Sequence, residues 1–314
     1  MHADIQFNFG AIPYAGGQIM LMDGRVEKFE NSFGPIPHTD FDFALNNTIE
    51  SLEMAKNIRK ISVAMVYKAH ASHIGGALSM ADILAVLYSD VLNYDVNNPD
   101  WEKRDRCLLS KGHACVSFYA ALALAGFYPI SELNSYAQDG SSFLCHTTHH
   151  VSGIEISAGS LGHGFSIACG IALGAKIKKE NFNTYVILGD GEMDEGSNWE
   201  AFLFGAHHKL SNLCAIIDYN KIQSFGNTND VLRLEPLIDK LKAFNWNVIS
   251  IDGHDHDELL HAFDVFKHQK DIPTVIIANT IKGKGVSFME NNLVWHYKSP
   301  DEEQYKQAIK EIEG

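Results

Sequence analysis

The chain has 314 residues, of which 46% are hydrophobic and 20% are charged, and its formal net charge is −14. This composition is typical of a soluble globular protein with one large domain or two small ones, and the negative charge argues against a nucleic-acid partner. The five cysteines form no CxxC pair, no apolar run is as long as a membrane span, and the first residues lack a signal-peptide pattern. We therefore expect a cytoplasmic protein with reduced thiols and no membrane association.

The first 40 residues are rich in glycine and proline and have no sustained period, which predicts an irregular extension with a short hairpin near Met22-Asp-Gly24. A single domain is expected from residue 41 to residue 314. Its first helix is predicted over residues 46–69 from a period of 3.6. Residues 71–76 contain too many glycines to continue it, and Ser79 is expected to be the N-cap of a second helix over residues 81–92.

Apolar strands and helices alternate along the rest of the chain. The pattern predicts strands at residues 106–109, 185–188, 213–218, 248–251 and 274–278, and helices at residues 114–125, 165–178, 199–210 and 256–268. Such alternation favours an α/β fold of three layers, in which a parallel sheet is covered by helices on both faces. Ligands in these folds bind at the carboxyl ends of the strands.

Two polar residues come directly after neighbouring predicted strands. Asp190 lies in Gly189-Asp-Gly191, and Asn220 follows 30 residues later, which is the length of one strand-helix-strand unit. Their oxygens suit Mg²⁺ or Ca²⁺, and the backbone carbonyl of Ile222 would be a third ligand. The glycines let the backbone approach a phosphate closely. The alternative is a tight turn at Gly-Asp-Gly and a helix cap at Asn220.

Several histidines stand among small residues in segments predicted to be loops. They are His73, His113 in Ser110-Lys-Gly-His113, and the cluster from His146 to His150. Imidazoles can bind phosphate or carry protons near neutral pH. A Zn²⁺ site at His146, His149 and His150 is a less favoured alternative, because no metal-type Cys/His spacing accompanies them.

Glycine-rich segments supply further candidate anion contacts. Gly159-Ser-Leu-Gly-His-Gly164 precedes a predicted helix and would present backbone N–H groups to an anion, although close helix packing would also explain its glycines. Lys282-Gly-Lys-Gly285 and the turn at Trp295-His296 combine cations with glycine after the last predicted strand. Glu195 falls in the first turn of a predicted helix, where it would favour the helix dipole.

In their order and spacing these motifs resemble the N-terminal, diphosphate-binding half of transketolase, over residues 46–305. The resemblance rests on His73-Ile-Gly-Gly, Ser110-Lys-Gly-His113-Ala, Gly153-Ile-Glu-Ile-Ser-Ala-Gly-Ser-Leu-Gly, Gly189-Asp-Gly-Glu-Met-Asp-Glu-Gly196, Asp218-Tyr-Asn-Lys-Ile222 and Lys282-Gly-Lys-Gly followed by Trp295-His296. It implies a thiamine-diphosphate-binding domain of the PP type, with thiamine diphosphate and Mg²⁺ or Ca²⁺ as cofactors.

The resemblance also implies roles for individual residues. It implies metal ligation by Asp190, Asn220 and the Ile222 carbonyl. Contacts with the cofactor are implied for His113, Gly159, Leu161, Gly191, Asn220, Lys282 and His296. Catalytic roles are implied for His73, His113, His146, Glu195 and His296. Among these, Glu195 would lie at a subunit interface, linked to the catalytic glutamate of the partner.

In the family, a pyrimidine-binding domain and a C-terminal domain follow this half. The chain ends at Gly314, so we expect a separate C-terminal subunit, an α2β2 assembly, and little cofactor binding and no turnover by the isolated chain. The implied reaction transfers a two-carbon ketol unit from a ketose or ketose phosphate to an aldose or aldose phosphate. His163, His73-Ile and Cys145-His146-Thr-Thr-His-His depart from the usual family residues, which indicates a specialised sugar.

Three other functions stay open at the level of the sequence. One is an enzyme like 1-deoxyxylulose-phosphate synthase, which would use pyruvate. Another is a non-catalytic paralogue that regulates a partner. The third is a generic metal-dependent phosphate-binding protein.

Overall fold

The computed structural model describes residues 12–14, 18–20, 26–28 and 50–314. The first three segments are strands β1 (Ile12–Tyr14), β2 (Gln18–Met20) and β3 (Val26–Lys28), which pair antiparallel in that order. The hairpin predicted near Met22 has its turn outside the described residues, although β2 and β3 on either side of it do pair. The chain divides into two compact units, residues 1–44 and 45–314, and the domain boundary after residue 40 stays a prediction.

A five-stranded parallel sheet forms the centre of the second unit, in the order β4-β5-β6-β10-β9. A two-stranded antiparallel hairpin, β7-β8, lies directly after β6 in the chain. The strands are β4 (Arg106–Leu109), β5 (Thr184–Gly189), β6 (Leu213–Tyr219), β7 (Ile222–Gln223), β8 (Gly226–Asn227), β9 (Asn247–Asp252) and β10 (Thr274–Asn279).

Helices come before, between and after the parallel strands of the second unit. They are α1 (Ser51–Ala69), α2 (Ile74–Ser79), α3 (Ala81–Val86), α4 (Cys115–Leu124), α5 (Gly164–Lys178), α6 (Gly196–His207), α7 (Thr228–Val231), α8 (Leu237–Ala243), α9 (His256–His268) and α10 (Glu302–Glu313). A π-helical turn extends α3 to Val91. Among the described residues, no helix is both long and apolar enough to cross a membrane.

The sheet separates two apolar cores, because neighbouring residues of a strand point to opposite faces. In β6, Leu213 and Ala215 pack with α5, α6 and α8, whereas Cys214 and Ile216 pack with α1, α4 and α9. All seven residues of β6 are buried. A strand covered on both faces has a continuous apolar sequence, so the predicted three-layer α/β fold is confirmed.

Most elements lie within one to three residues of their predicted bounds. Helices α8 and α10 were not predicted. Another error concerns residues 71–76, which were expected to form a loop. Helix α2 begins at Ile74 and includes Gly75 and Gly76, and all its residues are buried. A Cβ on Gly75 would lie 3.1 Å from Cγ of Lys282 and 3.3 Å from the Trp295 carbonyl. Close packing between segments therefore outweighs the low helix propensity of glycine here.

The predicted N-cap at Ser79 is also wrong. Ser79 is the last residue of α2, and Met80 precedes α3. The Ser79 hydroxyl lies 3.0 Å from the Gly76 carbonyl and 2.6 Å from Oδ2 of Asp218. Its hydroxyl thus serves a buried carboxylate instead of a helix terminus. The residue before α2, His73, has a φ of +70°, in the left-handed region that side chains other than glycine rarely adopt.

Candidate functional site

The carboxyl ends of four parallel strands carry most of the predicted site residues. The segment after β4 contains His113, and β5 is followed by Asp190, β6 by Asn220, and β10 by Lys282. Since β4, β5, β6 and β10 are consecutive neighbours in the sheet, their ends form one edge. The candidate site is therefore at the end of the sheet where ligands of this fold class bind.

Asp190 is buried and faces the turn that follows β6. Its Oδ1 accepts a hydrogen bond of 2.7 Å from the Gly191 amide, and its Oδ2 accepts one from the Lys221 amide. Burial and the negative charge of Asp218 raise its pKa from 3.8 to about 6, in spite of these two amides. A carboxylate with a raised pKa lacks sufficient positive charge nearby, and a bound cation would supply it.

Asn220 and Ile222 flank the amide that binds Asp190, so all three predicted metal ligands meet at one turn. Asn220 Oδ1 accepts a hydrogen bond of 3.2 Å from the Ile222 amide. The Ile222 carbonyl accepts one of 2.7 Å from Nζ of Lys282, so an ammonium group already stands at this carbonyl. Carboxylate, amide and carbonyl oxygens are suitable ligands for a hard divalent cation.

Four histidines from distant parts of the chain are in contact beside this turn. The ring centre of His73 lies 5.1 Å from that of His113, 5.0 Å from that of His296 and 6.3 Å from that of His146. The His73 amide also donates to the His296 carbonyl at 2.9 Å. The predicted association of these four imidazoles is therefore present in the fold.

The pKa values of all four histidines are lowered, chiefly by burial. Burial and the charges of His146 and Lys282 lower the pKa of His73 to about 4. Burial and Lys282 lower the pKa of His296 to about 3. Burial also lowers the pKa of His113 and of His146. Near neutral pH the four rings are thus uncharged and can both donate and accept hydrogen bonds.

Lys282 connects the turn of Asn220 and Ile222, which carries the predicted metal ligands, to the four histidines. Its ammonium is buried and donates to the Ile222 carbonyl and, at 2.9 Å, to Nδ1 of His296. Because Nδ1 accepts, the proton of neutral His296 is on Nε2. Burial lowers the pKa of Lys282 to about 8, against the opposing influence of Asp190. Lys282 thus places a positive group at the Ile222 carbonyl, one of the oxygens expected to hold the metal, and beside His296.

The remaining predicted residues differ in how close they lie to this centre. A Cβ on Gly159 would be 3.9 Å from His146, so the Gly159 loop borders the histidines. The Leu161 carbonyl lies 2.9 Å from Nδ1 of His163. A Cβ on Gly191 would lie 2.6 Å from that of Gln223, which makes glycine necessary beside Asp190. Glu195 stands apart from the cluster, exposed at the N-cap of α6.

Sequence reasoning missed a buried carboxylate that ties three of these segments together. Oε1 of Glu192 accepts from the Ser110 hydroxyl and, at 2.9 Å, from the Gly162 amide. Its Oε2 accepts from the Gly189 amide at 3.1 Å. Burial raises its pKa, and these donors oppose the increase. The signal was its position inside the Gly189–Gly196 motif, but spacing does not reveal which acidic residue points inward.

A buried ion pair was missed as well. Nζ of Lys111 contacts Oδ2 of Asp218 and donates to the Gly76 carbonyl at 2.8 Å. Asp218 also accepts from Nδ2 of Asn220 at 3.2 Å, and so orients the amide of a predicted metal ligand. Both charged residues lie within motifs noted in the sequence.

Among the described residues, no three His, Cys, Asp or Glu side chains form a metal-binding group, which gives no support to the zinc alternative.

Comparison with known proteins agrees with this geometry. The family described as "Transketolase, thiamine diphosphate binding domain" matches residues 50–312. The chain therefore belongs to the transketolase family and contains its cofactor-binding domain. The solved transketolase of Campylobacter jejuni superposes with a TM-score of 0.79 at 32% identity, covering 84% of this chain and 43% of that one.

Within the family, the chain is similar to proteins that are themselves named as subunits. It is 43% identical to the 6-deoxy-6-sulfo-D-fructose transketolase subunit of a Clostridium species, over 84% of this chain and 97% of that protein. It is 40% identical to an apulose-4-phosphate transketolase subunit of Phocaeicola vulgatus, over 84% of this chain and 94% of that protein. The predicted resemblance to the N-terminal subunit of a two-chain transketolase is thus confirmed.

Proposed function

We propose that this chain forms the diphosphate-binding half of a two-chain transketolase, which moves a two-carbon ketol unit from a ketose phosphate to an aldose phosphate. The observation that carries the proposal is that a set of oxygen ligands and a cluster of histidines lie together at one edge of the sheet. The turn at Asp190, Asn220 and Ile222 provides three hard oxygen ligands, and Lys282 links it to four neutral histidines.

The turn after β6 would hold Mg²⁺ or Ca²⁺ through Asp190, Asn220 and the Ile222 carbonyl. His113, Lys282 and His296 would contact the diphosphate of thiamine diphosphate. Gly191 would let the backbone approach it, and Gly159 and Leu161 would flank the cofactor. When bound, thiamine diphosphate supplies the nucleophilic and electron-accepting chemistry needed to cleave a bond next to a carbonyl. The raised pKa of Asp190 supports a cation at this position.

His73, His146 and His296 would orient the sugar and transfer its hydroxyl protons. Their lowered pKa values keep them neutral, so His73 and His146 can accept a proton from a hydroxyl group. His296, whose Nδ1 is bonded to Lys282, can donate to a hydroxyl group from Nε2. His113 would act closer to the diphosphate, because it packs against His296, the ring that contacts Lys282. Sugar phosphates are the substrate class that we assign, in line with the apulose-4-phosphate in the name of one related subunit. The other related subunit is named for a sulfonated ketose, 6-deoxy-6-sulfo-D-fructose.

The companion would be a C-terminal subunit that carries the pyrimidine-binding and C-terminal domains, in an α2β2 assembly. Large apolar side chains are exposed on two neighbouring helices, with Ile167 of α5 at 41%, Leu203 of α6 at 58% and Phe204 of α6 at 39%. Glu195 is the exposed N-cap of α6. Contact with the companion subunit would cover this face and place Glu195 in the interface.

The five free cysteines support a cytoplasmic location.

Reconstitution with the companion subunit tests the proposal. The complex should bind thiamine diphosphate with Mg²⁺ and transfer a ketol unit from ketose phosphates, whereas the isolated chain should bind weakly and turn nothing over. Activity with pyruvate as the donor would favour the alternative synthase-like enzyme. A complex that binds the cofactor without any turnover would favour a regulatory paralogue. Equal stabilisation by ATP with Mg²⁺ would contradict a thiamine diphosphate site.

A further inference from the structure

A second buried cluster includes two histidines, His254 and His256, that follow β9, the edge strand next to β10. Its centre is the carboxylate of Asp82 in α3, which is 5% exposed. Arg59 of α1 donates to both of its oxygens. Nδ1 of His254 lies 2.6 Å from Oδ2, and Nε2 of His256 lies 3.2 Å from Oδ1. The carboxylate is therefore fixed by three side chains from two other parts of the chain.

The orientation and protonation of His254 follow from its two partners. Its Nε2 accepts a hydrogen bond of 2.8 Å from the Ile281 amide. A backbone amide can only donate, so Nε2 carries no proton and the ring proton is on Nδ1. That proton points to Asp82. A carboxylate that holds an imidazole in one tautomer also fixes the direction of the other ring nitrogen.

The residue whose amide His254 holds is next to Lys282. On either side, the Thr280 amide donates to the Tyr219 carbonyl at 3.2 Å, and the Gly283 amide donates to the Gly75 carbonyl at 2.9 Å. Gly253, next to His254, packs so closely that a Cβ there would be 2.5 Å from Thr280. The segment after β10 is thus anchored through the amides of Thr280, Ile281 and Gly283, and His254 provides the anchor immediately before Lys282.

We propose that Asp82 and His254 are positioning residues, which hold the Ile281 amide so that the Lys282 ammonium lies at the Ile222 carbonyl and His296. Their hydrogen bonds reach the candidate site through the backbone of Ile281. This inference rests on the proposed function for the role of Lys282 toward the diphosphate. The hydrogen bonds that fix His254 do not depend on that role.

A double-mutant cycle in the reconstituted two-chain complex tests the inference. Affinity for thiamine diphosphate with Mg²⁺ is measured by calorimetry for wild type, His254→Ala, Lys282→Met and the double variant. We expect His254→Ala to weaken binding about tenfold, as loss of an outer partner of a ligand typically does. In the Lys282→Met background, His254→Ala should produce no further loss, because its effect passes through Lys282. His261→Ala, an exposed histidine of α9, is the control.

Further variants separate positioning from general destabilisation. His254→Gln retains an acceptor for the Ile281 amide, so it should recover most of the lost affinity, and thermal melting checks that each variant folds. Losses that multiply in the double variant, or an effect of His254→Ala equal to that of His261→Ala, would overturn the inference. If Lys282→Met alone leaves affinity unchanged, the assignment of Lys282 in the proposed function fails instead.

A measurement without cofactor tests the geometry itself. A long-range ¹H–¹⁵N spectrum of the full chain should show His254 with a protonated Nδ1 and a bare Nε2. The opposite tautomer would overturn the inference, whatever the outcome of the binding experiments.

Discussion

Replacing Asp190 by Asn separates the stability of the fold from its capacity to hold a cation. Burial and the charge of Asp218 raise the pKa of Asp190 from 3.8 to about 6. At 1.36 kcal/mol for each pH unit, the difference corresponds to about 3 kcal/mol. Because the pKa is higher in the folded chain, the stabilising contribution is complete below pH 4 and is lost as the pH rises through about 6.

The difference between wild type and Asp190→Asn should therefore depend on pH. In urea unfolding with EDTA present, we expect wild type to lose up to about 3 kcal/mol relative to the variant between pH 4 and pH 7. Asp271→Asn, at an exposed carboxylate, is the control and should follow wild type. Parallel curves for wild type and Asp190→Asn would refute the reasoning that this carboxylate lacks a counter-charge.

The same variant has the opposite behaviour when ligand is present. In the two-chain complex, thiamine diphosphate with Mg²⁺ at about 100 times its Kd should stabilise wild type by about 2.7 kcal/mol. Asp190→Asn should gain almost nothing, because an amide does not replace the charge of the carboxylate at the metal. If Asp190→Asn were stabilised by the ligand as much as wild type, Asp190 would not be a metal ligand.

Three other perturbations have defined outcomes. The pKa of His296 is held at about 3 in the fold, below the usual 6.5. Its contribution to the free energy of unfolding is therefore present above pH 6.5 and is lost on acidification. In urea unfolding from pH 7 to pH 4.5, His296→Asn should accordingly lose less stability than wild type. Glu192→Gln loses one of two acceptor oxygens, so it should lower the free energy of unfolding by about 1–3 kcal/mol and weaken cofactor binding, whereas exposed Glu200→Gln should do neither. Leu203→Asp should change stability by less than about 0.5 kcal/mol yet prevent assembly with the companion in light scattering, and Leu260→Asp on α9 should assemble normally.

The sheet and the strand-end residues could be predicted because they depend on local pattern. Each strand is a short apolar run, and a parallel strand covered on both faces needs no other signature. Asp190, Asn220 and Lys282 follow such runs directly, so the fold class alone puts them at one edge. The four histidines were associated by their resemblance to family motifs, and the fold then brings their rings within 6.3 Å or less of His73.

What the sequence did not reveal depends on contacts between distant segments. Helix α2 contains two glycines, and one of them, Gly75, packs against Lys282 and Trp295, which lie more than 200 residues away in the chain. Glu192 and Lys111 are two charged residues among several in their motifs, and only the fold determines which of them turn inward. Likewise, no local pattern links Asp82 with His254, since 172 residues separate them.

The left-handed backbone at His73 has a consequence for how this chain can be changed. A residue other than glycine in that conformation costs about 1–2 kcal/mol, so His73→Gly would relax the backbone and leave the start of α2 intact. The same change would remove the ring that three other histidines surround. Under the proposed function, in which His73 takes part in turnover, a gain in backbone stability at this position would therefore come with a loss of activity.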